Sequence, residues 1–316
     1  MLVPVLLFLL GFVLLIKGGD WFVDAASSIA HRFHMPELLI GATVVSIGTT
    51  LPEVMVSAQG ALVGSGSIAF GNAIGSVICN TALIAAITLV VRPASVDRKT
   101  LILPSAAFFI AAAFYCFNAY VFGRFSRLAG FVLLAMFVLY MVLTVRQMKN
   151  SPSGQEENEE PPTTSFAHDV IMLVVGAVVI AVGANLLVEN AQIIATALGV
   201  PESVIALTLV ALGTSLPELV TAITSLIKGC SALSLGNIIG ANLFNLVLVS
   251  GTATAICPFD LSSASATSLT VDIPLMLGVM LVLTIPALVR EKLHRWQGVL
   301  LLSAYAAYCV FLFCFA

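Results

Sequence analysis

Charge is scarce in this 316-residue chain: Asp, Glu, Lys and Arg make up 9% of it, against 60% hydrophobic residues and a mean hydropathy of +1.10. A chain so poor in charge is not dissolved in water, and with a net charge of −3 it has no basic surface for nucleic acid. Its six cysteines (79, 116, 230, 257, 309 and 314) are scattered without a Cys-x-x-Cys pair, which implies neither a disulfide framework nor zinc. The four histidines (31, 34, 168 and 294) fall near expected helix ends, leaving no cluster for a metalloenzyme. An intramembrane hydrolase would need a His/Glu metal motif, a serine paired with lysine or histidine, or paired aspartates at mid-membrane. With none of these, the chain is read as no enzyme. No basic segment precedes the apolar run that begins at Leu2, so that run reads as a retained helix, not a cleaved signal peptide.

What is present is length of apolar run. A spanning helix takes about 20 apolar residues, and ten such windows are expected: 2–27, 37–62, 68–91, 101–117, 125–146, 169–196, 202–227, 232–256, 272–290 and 296–315. Runs of that length exclude a β-barrel, whose strands alternate over about 10 residues. The fold class is therefore all-α integral membrane. Ten of the thirteen Lys and Arg fall in the odd-numbered loops, whereas the even loops hold only Arg124 and Arg127. Positive residues stay inside, which predicts cytoplasmic odd loops, both termini outside, and a multi-pass protein of the plasma (inner) membrane.

The chain also repeats itself. Gly48-Thr49-Thr50-Leu51-Pro52-Glu53 returns 165 residues later as Gly213-Thr214-Ser215-Leu216-Pro217-Glu218, and 16 of 45 positions from Pro36 to Asn80 match Pro201 to Asn245 without a gap. Each copy is followed by Gly-Asn-x-x-Gly (Gly71 to Gly75, Gly236 to Gly240) and then by Asn80 or Asn245. This is a duplicated half-molecule: residues 1–147 and 169–316 as five-helix repeats, joined by an acidic cytoplasmic linker at 148–168. Five is odd, so the copies enter the membrane from opposite sides, the inverted-repeat plan of secondary transporters.

Within each copy the proline removes an amide, freeing the carbonyl of Gly48 or Gly213. The glycine lets the backbone leave the helix cheaply. Helices 2 and 7 are accordingly expected to be broken at mid-membrane. Thr49, Thr50 and Glu53 share a face, as do Thr214, Ser215 and Glu218. One such motif could be a kinked helix packing a protonated or paired glutamate. Two inverted copies, with no basic residue at that depth, call for a cation instead. In helix 3, Asn72, Ser76 and Asn80 form one polar stripe; in helix 8 it is Asn237, Ala241 and Asn245, with Asn242 beside it. Asn72 and Asn237 are expected to brace the broken helices. Ser76, Asn80 and Asn245 are either ligands and water anchors or interhelical glue. Asp20 and Asp24 read as interface residues, Glu37 and Glu202 as helix-start signals, and Glu156 to Glu160 as a solvated linker.

At these motifs the chain resembles the cation/calcium exchanger superfamily, in particular prokaryotic sodium/calcium exchangers. The resemblance covers nearly the whole chain. It implies ten helices as two inverted repeats, with helices 1 and 6 sliding against the rest in alternating access, and a secondary antiporter exchanging calcium for sodium. A proton-coupled calcium or other divalent-cation exchanger is the alternative. Carried over by residue, it implies Glu53 and Glu218 as shared ligands, and Thr49 and Thr214 as carbonyl and hydroxyl contributors. Thr50, Ser215, Ser76 and the backbone of Ser46 and Ala211 would line flanking sodium sites, with Asn80 and Asn245 completing the centre. The chain departs from the pattern at Val77, where asparagine is usual, at Ala241 in place of serine, and at Asn245, where some members have aspartate. Expected partners are calcium and sodium ions and the lipid bilayer, with no cofactor and no obligatory protein partner.

Overall fold

The structure, a computed structural model, describes residues 2–64, 66–150, 164–198, 211–261 and 268–315. The described residues form long apolar helices. They are α1 (Leu2–Arg32), α2 (Glu37–Leu62), α3 (Ala69–Val91), α4 (Arg98–Phe122) and α5 (Arg127–Asn150) in the first half. The second half has α6 (Phe166–Ala197), the short α7a (Ala211–Thr214) and α7b (Leu216–Ile227), α8 (Ser231–Ile256), α9 (Ser268–Arg290) and α10 (Arg295–Phe315). Nine helices among the described residues are long and apolar enough to cross a membrane. The expected seventh span is described only from Ala211, and residues 151–163 of the acidic linker and Glu202 lie outside the described residues; the ends of the expected linker belong to α5 and α6.

Burial orders the bundle. The most apolar stretch of α8 is 89% buried and that of α3 72%, against 22% for both α1 and α6. The centre is therefore α8 with α2 and α3, and α1 and α6 lie on its flank. These two are the longest helices, at 31 and 32 residues, or about 45 Å at 1.5 Å per residue, well beyond a hydrocarbon core of about 30 Å. They run antiparallel and touch through glycine. A Cβ on Gly11 would sit 2.8 Å from the Gly183 carbonyl, and one on Gly176 would sit 3.0 Å from the Gly18 carbonyl. Small residues let helix backbones meet in lipid, where no hydrophobic drive exists between helices. Arg32 pairs with the buried Asp169 at 3.1 Å, tying the end of α1 to the start of α6.

The loops segregate by parity. Val96 donates to the Glu291 carbonyl at 2.9 Å and Leu293 to the Ala94 carbonyl at 2.8 Å, joining the loops after α3 and α9. Two short strands, β1 (Arg124–Phe125) and β2 (Phe259–Asp260), pair antiparallel and join the loops after α4 and α8. Odd loop meets odd and even meets even, as alternating crossings require.

One expectation needs correction. The expected break in helix 2 is absent: α2 stays helical through Pro52, and its irregularity is a π-helical stretch at Gly41–Val45, before the motif. Helix 7 does break, at Ser215 (φ −93°, ψ 6°), and Pro217 becomes the second residue of α7b, where no amide is needed. The same six-residue motif thus sits inside a helix in one half and across a helix start in the other.

Candidate functional site

Glycines in α8 bring it against the backbone of α2. A Cβ on Gly236 would collide with the Leu38 carbonyl and one on Gly240 with the Ser46 hydroxyl, while Gly41 of α2 has no room for a side chain beside the Leu233 carbonyl. That approach puts Asn237 within reach of the motif. Its side-chain oxygen accepts from Thr49 at 3.2 Å, and its amide donates to Thr221 of α7b at 2.9 Å. The Ser46 hydroxyl reaches the Gly41 carbonyl at 2.8 Å and the Asn237 carbonyl at 3.0 Å. Asn72, its counterpart in α3, donates to Ser57 of α2 at 3.0 Å. From outside this layer, the Tyr140 hydroxyl of α5 donates to the Ala42 carbonyl at 2.9 Å, holding the π stretch of α2.

Glycine in the motif itself provides space more than conformational freedom. Gly48 is helical, and a Cβ there would lie 2.9 Å from the Phe22 ring of α1; at Gly213 it would lie 2.6 Å from Val188 of α6. The α1/α6 pair therefore rests directly on both motifs.

Inside the frame is a set of buried polar side chains. Thr50, Glu53, Asn80, Ser215, Glu218 and Asn245 are all buried, and among the described residues their side-chain oxygens and amides find no hydrogen-bond partner. Buried polar groups are ordinarily paired because each orphan loses its water without recompense, and a bare carboxylate loses most. These six are three pairs related by the 165-residue offset: Thr50 with Ser215, Glu53 with Glu218, Asn80 with Asn245. Glu53 lies near enough to Glu218 for their charges to repel. The ion pairs seen among the described residues involve neither glutamate. Asn80 and Asn245 each open a π-helical stretch, Asn80–Ala85 in α3 and Asn245–Val249 in α8, a distortion that recurs at functional sites.

The remaining expected residues surround this set. Thr49 is buried, spends its hydroxyl on Asn237 and lies beside Glu218. Ser76 is buried in α3, Thr214 ends α7a half-buried, and Ala211 is the first residue of α7a. Thr221 of α7b also carries the frame, without having been singled out in the sequence. Thr221 stands three residues after Glu218, a spacing that could have found it. Asn242 donates to Thr81 at 2.7 Å and to the Met280 sulfur at 3.2 Å, linking α8 to α3 and α9. Nothing in the sequence marks Met280. The arrangement offers two carboxylates, hydroxyls and carboxamide oxygens, all hard donors of the kind that hold sodium and calcium.

The sequence profile of the sodium/calcium exchanger protein family matches residues 3–146 and 168–314. A putative antiporter, CaxA, of Alkalimonas amylolytica is 36% identical over 322 residues, covering 99% of each chain. The sodium/calcium exchanger MaX1 of Methanosarcina acetivorans is 33% identical over 345 residues, covering 98% of each. Among solved structures, the sodium–calcium exchanger NCX_Mj soaked with Na+ and Sr2+ superposes with a TM-score of 0.82 at 33% identity, covering 98% of each chain.

Proposed function

Because the chain belongs to the sodium/calcium exchanger family, we propose that it is a secondary antiporter exchanging calcium for sodium at a site built on Glu53 and Glu218. The observation that carries this reading is the three repeat-related pairs of buried, unpartnered polar side chains. Such groups cost too much to keep in the core of a bundle unless something else satisfies them, and oxygen donors around two negative charges suit cations.

Charge balance sets the mechanism. Two carboxylates are neutralised by one calcium or by two sodium ions, and Asn80 and Asn245 add donors without charge. Glu53 and Glu218 would serve both ions. Thr50, Ser215 and Ser76, with the backbone of Ser46 and Ala211, would line flanking sodium positions. Thr49 and Thr214 would lend hydroxyls or carbonyls. A site with both carboxylates bare repels itself and resists passage through a dry bundle, so the empty protein stays on one side and only loaded states switch. That coupling makes the protein an exchanger in place of a leak.

Switching by alternating access fits two inverted five-helix repeats, 1–147 and 169–316. The contact of Gly11 with Gly183 becomes that of Gly176 with Gly18 when the 165-residue offset is applied, as a two-fold axis in the membrane plane demands. The α1/α6 pair packs on both motif glycines, so a slide of that pair would open the site first to one face and then to the other. The basic odd loops support a cytoplasmic linker, with both termini outside, in the plasma membrane.

The test is uptake of radiolabelled calcium into proteoliposomes loaded with sodium, against sodium-free and pH-gradient controls. Uptake that needs internal sodium and is lost in Glu218→Gln supports the proposal. Uptake driven by the pH gradient alone would keep the two glutamates and replace sodium with the proton. Calcium exchange at the wild-type rate in the double variant Glu53→Gln/Glu218→Gln would end the two-carboxylate mechanism.

A further inference from the structure

Away from the site, α4 ends in a π-helical stretch at Asn118–Phe122, and the chain turns through left-handed Gly123 (φ 59°) into β1. The widened last turn splays Phe117 and Phe122 into an edge-on pair, 5.1 Å between ring centres. Between these rings and the first turns of α5 lies an open slot of about 290 Å³, walled by Phe117, Phe122, Leu128 and Val132 and carrying Arg124 and Ser126.

Two facts say what the slot takes. The walls are apolar and Phe117, Phe122 and Leu128 are exposed, at the end of a membrane-spanning helix, where a lipid chain is the neighbouring solvent. The second is charge. Arg124 and Arg127 are the only basic residues of all the even loops, and both stand at this one place. Arg124 is exposed and forms no ion pair among the described residues, although Asp260 faces it in the strand register. Arg127 gives one amine to the Ile256 carbonyl at 3.2 Å, which braces it without neutralising it. A guanidinium at the rim of an apolar slot matches a phosphate attached to an acyl chain.

We propose that the slot between the end of α4 and the start of α5 is a binding site for an anionic phospholipid, with an acyl chain along Phe117, Phe122 and Val132 and the headgroup phosphate on Arg124. The site is separate from the cation centre, and the lipid would brace the loop between α4 and α5.

The test is native mass spectrometry of the full chain titrated with phosphatidylglycerol, phosphatidylcholine or glycerol phosphate. The wild type should retain phosphatidylglycerol in preference to phosphatidylcholine and should not retain glycerol phosphate. Loss of one membrane-surface cation is worth about 1 kcal/mol, so Arg124→Gln should bind phosphatidylglycerol about fivefold more weakly. Val132→Phe, which fills the slot and keeps the charge, should weaken both lipids. Equal retention of the two lipids by the wild type, or unchanged phosphatidylglycerol binding in both variants, overturns the proposal. Binding of glycerol phosphate as tight as that of the lipid would also overturn it, since the apolar slot would then contribute nothing. A thermal unfolding scan of each variant separates lost binding from lost fold.

Discussion

Gly11 and Gly183 meet backbone to backbone, each so close that a Cβ on one would fall within 3 Å of the other's carbonyl oxygen. No side chain separates α1 from α6 at this point, and the contact has a mate in Gly18 and Gly176. Replacing Gly183 by valine should push the pair apart. Overpacking typically costs about 1–3 kcal/mol, so thermal unfolding should drop measurably and calcium uptake should fall with it. An unchanged melting temperature would mean that the two helices are not held by this contact.

Asn237 binds three elements at once. Asn237→Ala strips an acceptor from Thr49 and a donor from Thr221; Thr49 keeps the Ser46 carbonyl and Thr221 the Pro217 carbonyl, so each lost bond should cost about 0.5–1.5 kcal/mol. Both the midpoint of unfolding and the apparent calcium affinity should fall. Asn237→Asp keeps the acceptor for Thr49, so it should retain more of the affinity than alanine does. Equal affinity in the two variants would show that the Thr49 bond is not what matters.

Tyr140 holds the Ala42 carbonyl from α5. Tyr140→Phe keeps the packing and removes only the donor, so a loss of about 0.5–1.5 kcal/mol is expected from one hydrogen bond. Hydrogen exchange should localise the change to residues 41–45. If protection there is unaltered, the π stretch of α2 stands without this bond.

Two of the ion pairs tying α1 to its neighbours should differ in weight. Lys228 reaches Asp24 at 2.7 Å, but Asp24 is 66% exposed, and pairs in solvent contribute about 0–1 kcal/mol. Asp169 is 3% exposed and accepts from Arg32, Ser28 and Thr164. Asp169→Ala should therefore lower the unfolding temperature clearly more than Asp24→Ala, in parallel scans. The reverse order would place the anchor of α1 at Lys228.

Composition and duplication were enough to read an all-helical membrane protein, the bounds of its described spans to within a few residues, and two carboxylates in apolar runs as the centre of a candidate site, whereas the full set of candidate ligands came from the family resemblance. The reasons are physical: a run of about 20 apolar residues has few other folds, and carboxylates in such runs demand an explanation. Tertiary structure alone decided how two near-identical motifs differ. Pro52 lies inside an unbroken α2, whereas Pro217 stands in the first turn of α7b, because each proline adapts to the helix and neighbours around it. It also decided which hydroxyls are spent and which are left over. Thr49 and Thr50 are adjacent and chemically alike in the sequence. One meets Asn237 of the other repeat and the other meets no hydrogen-bonding group among the described residues, a difference that exists only once α8 is packed against α2 through glycine.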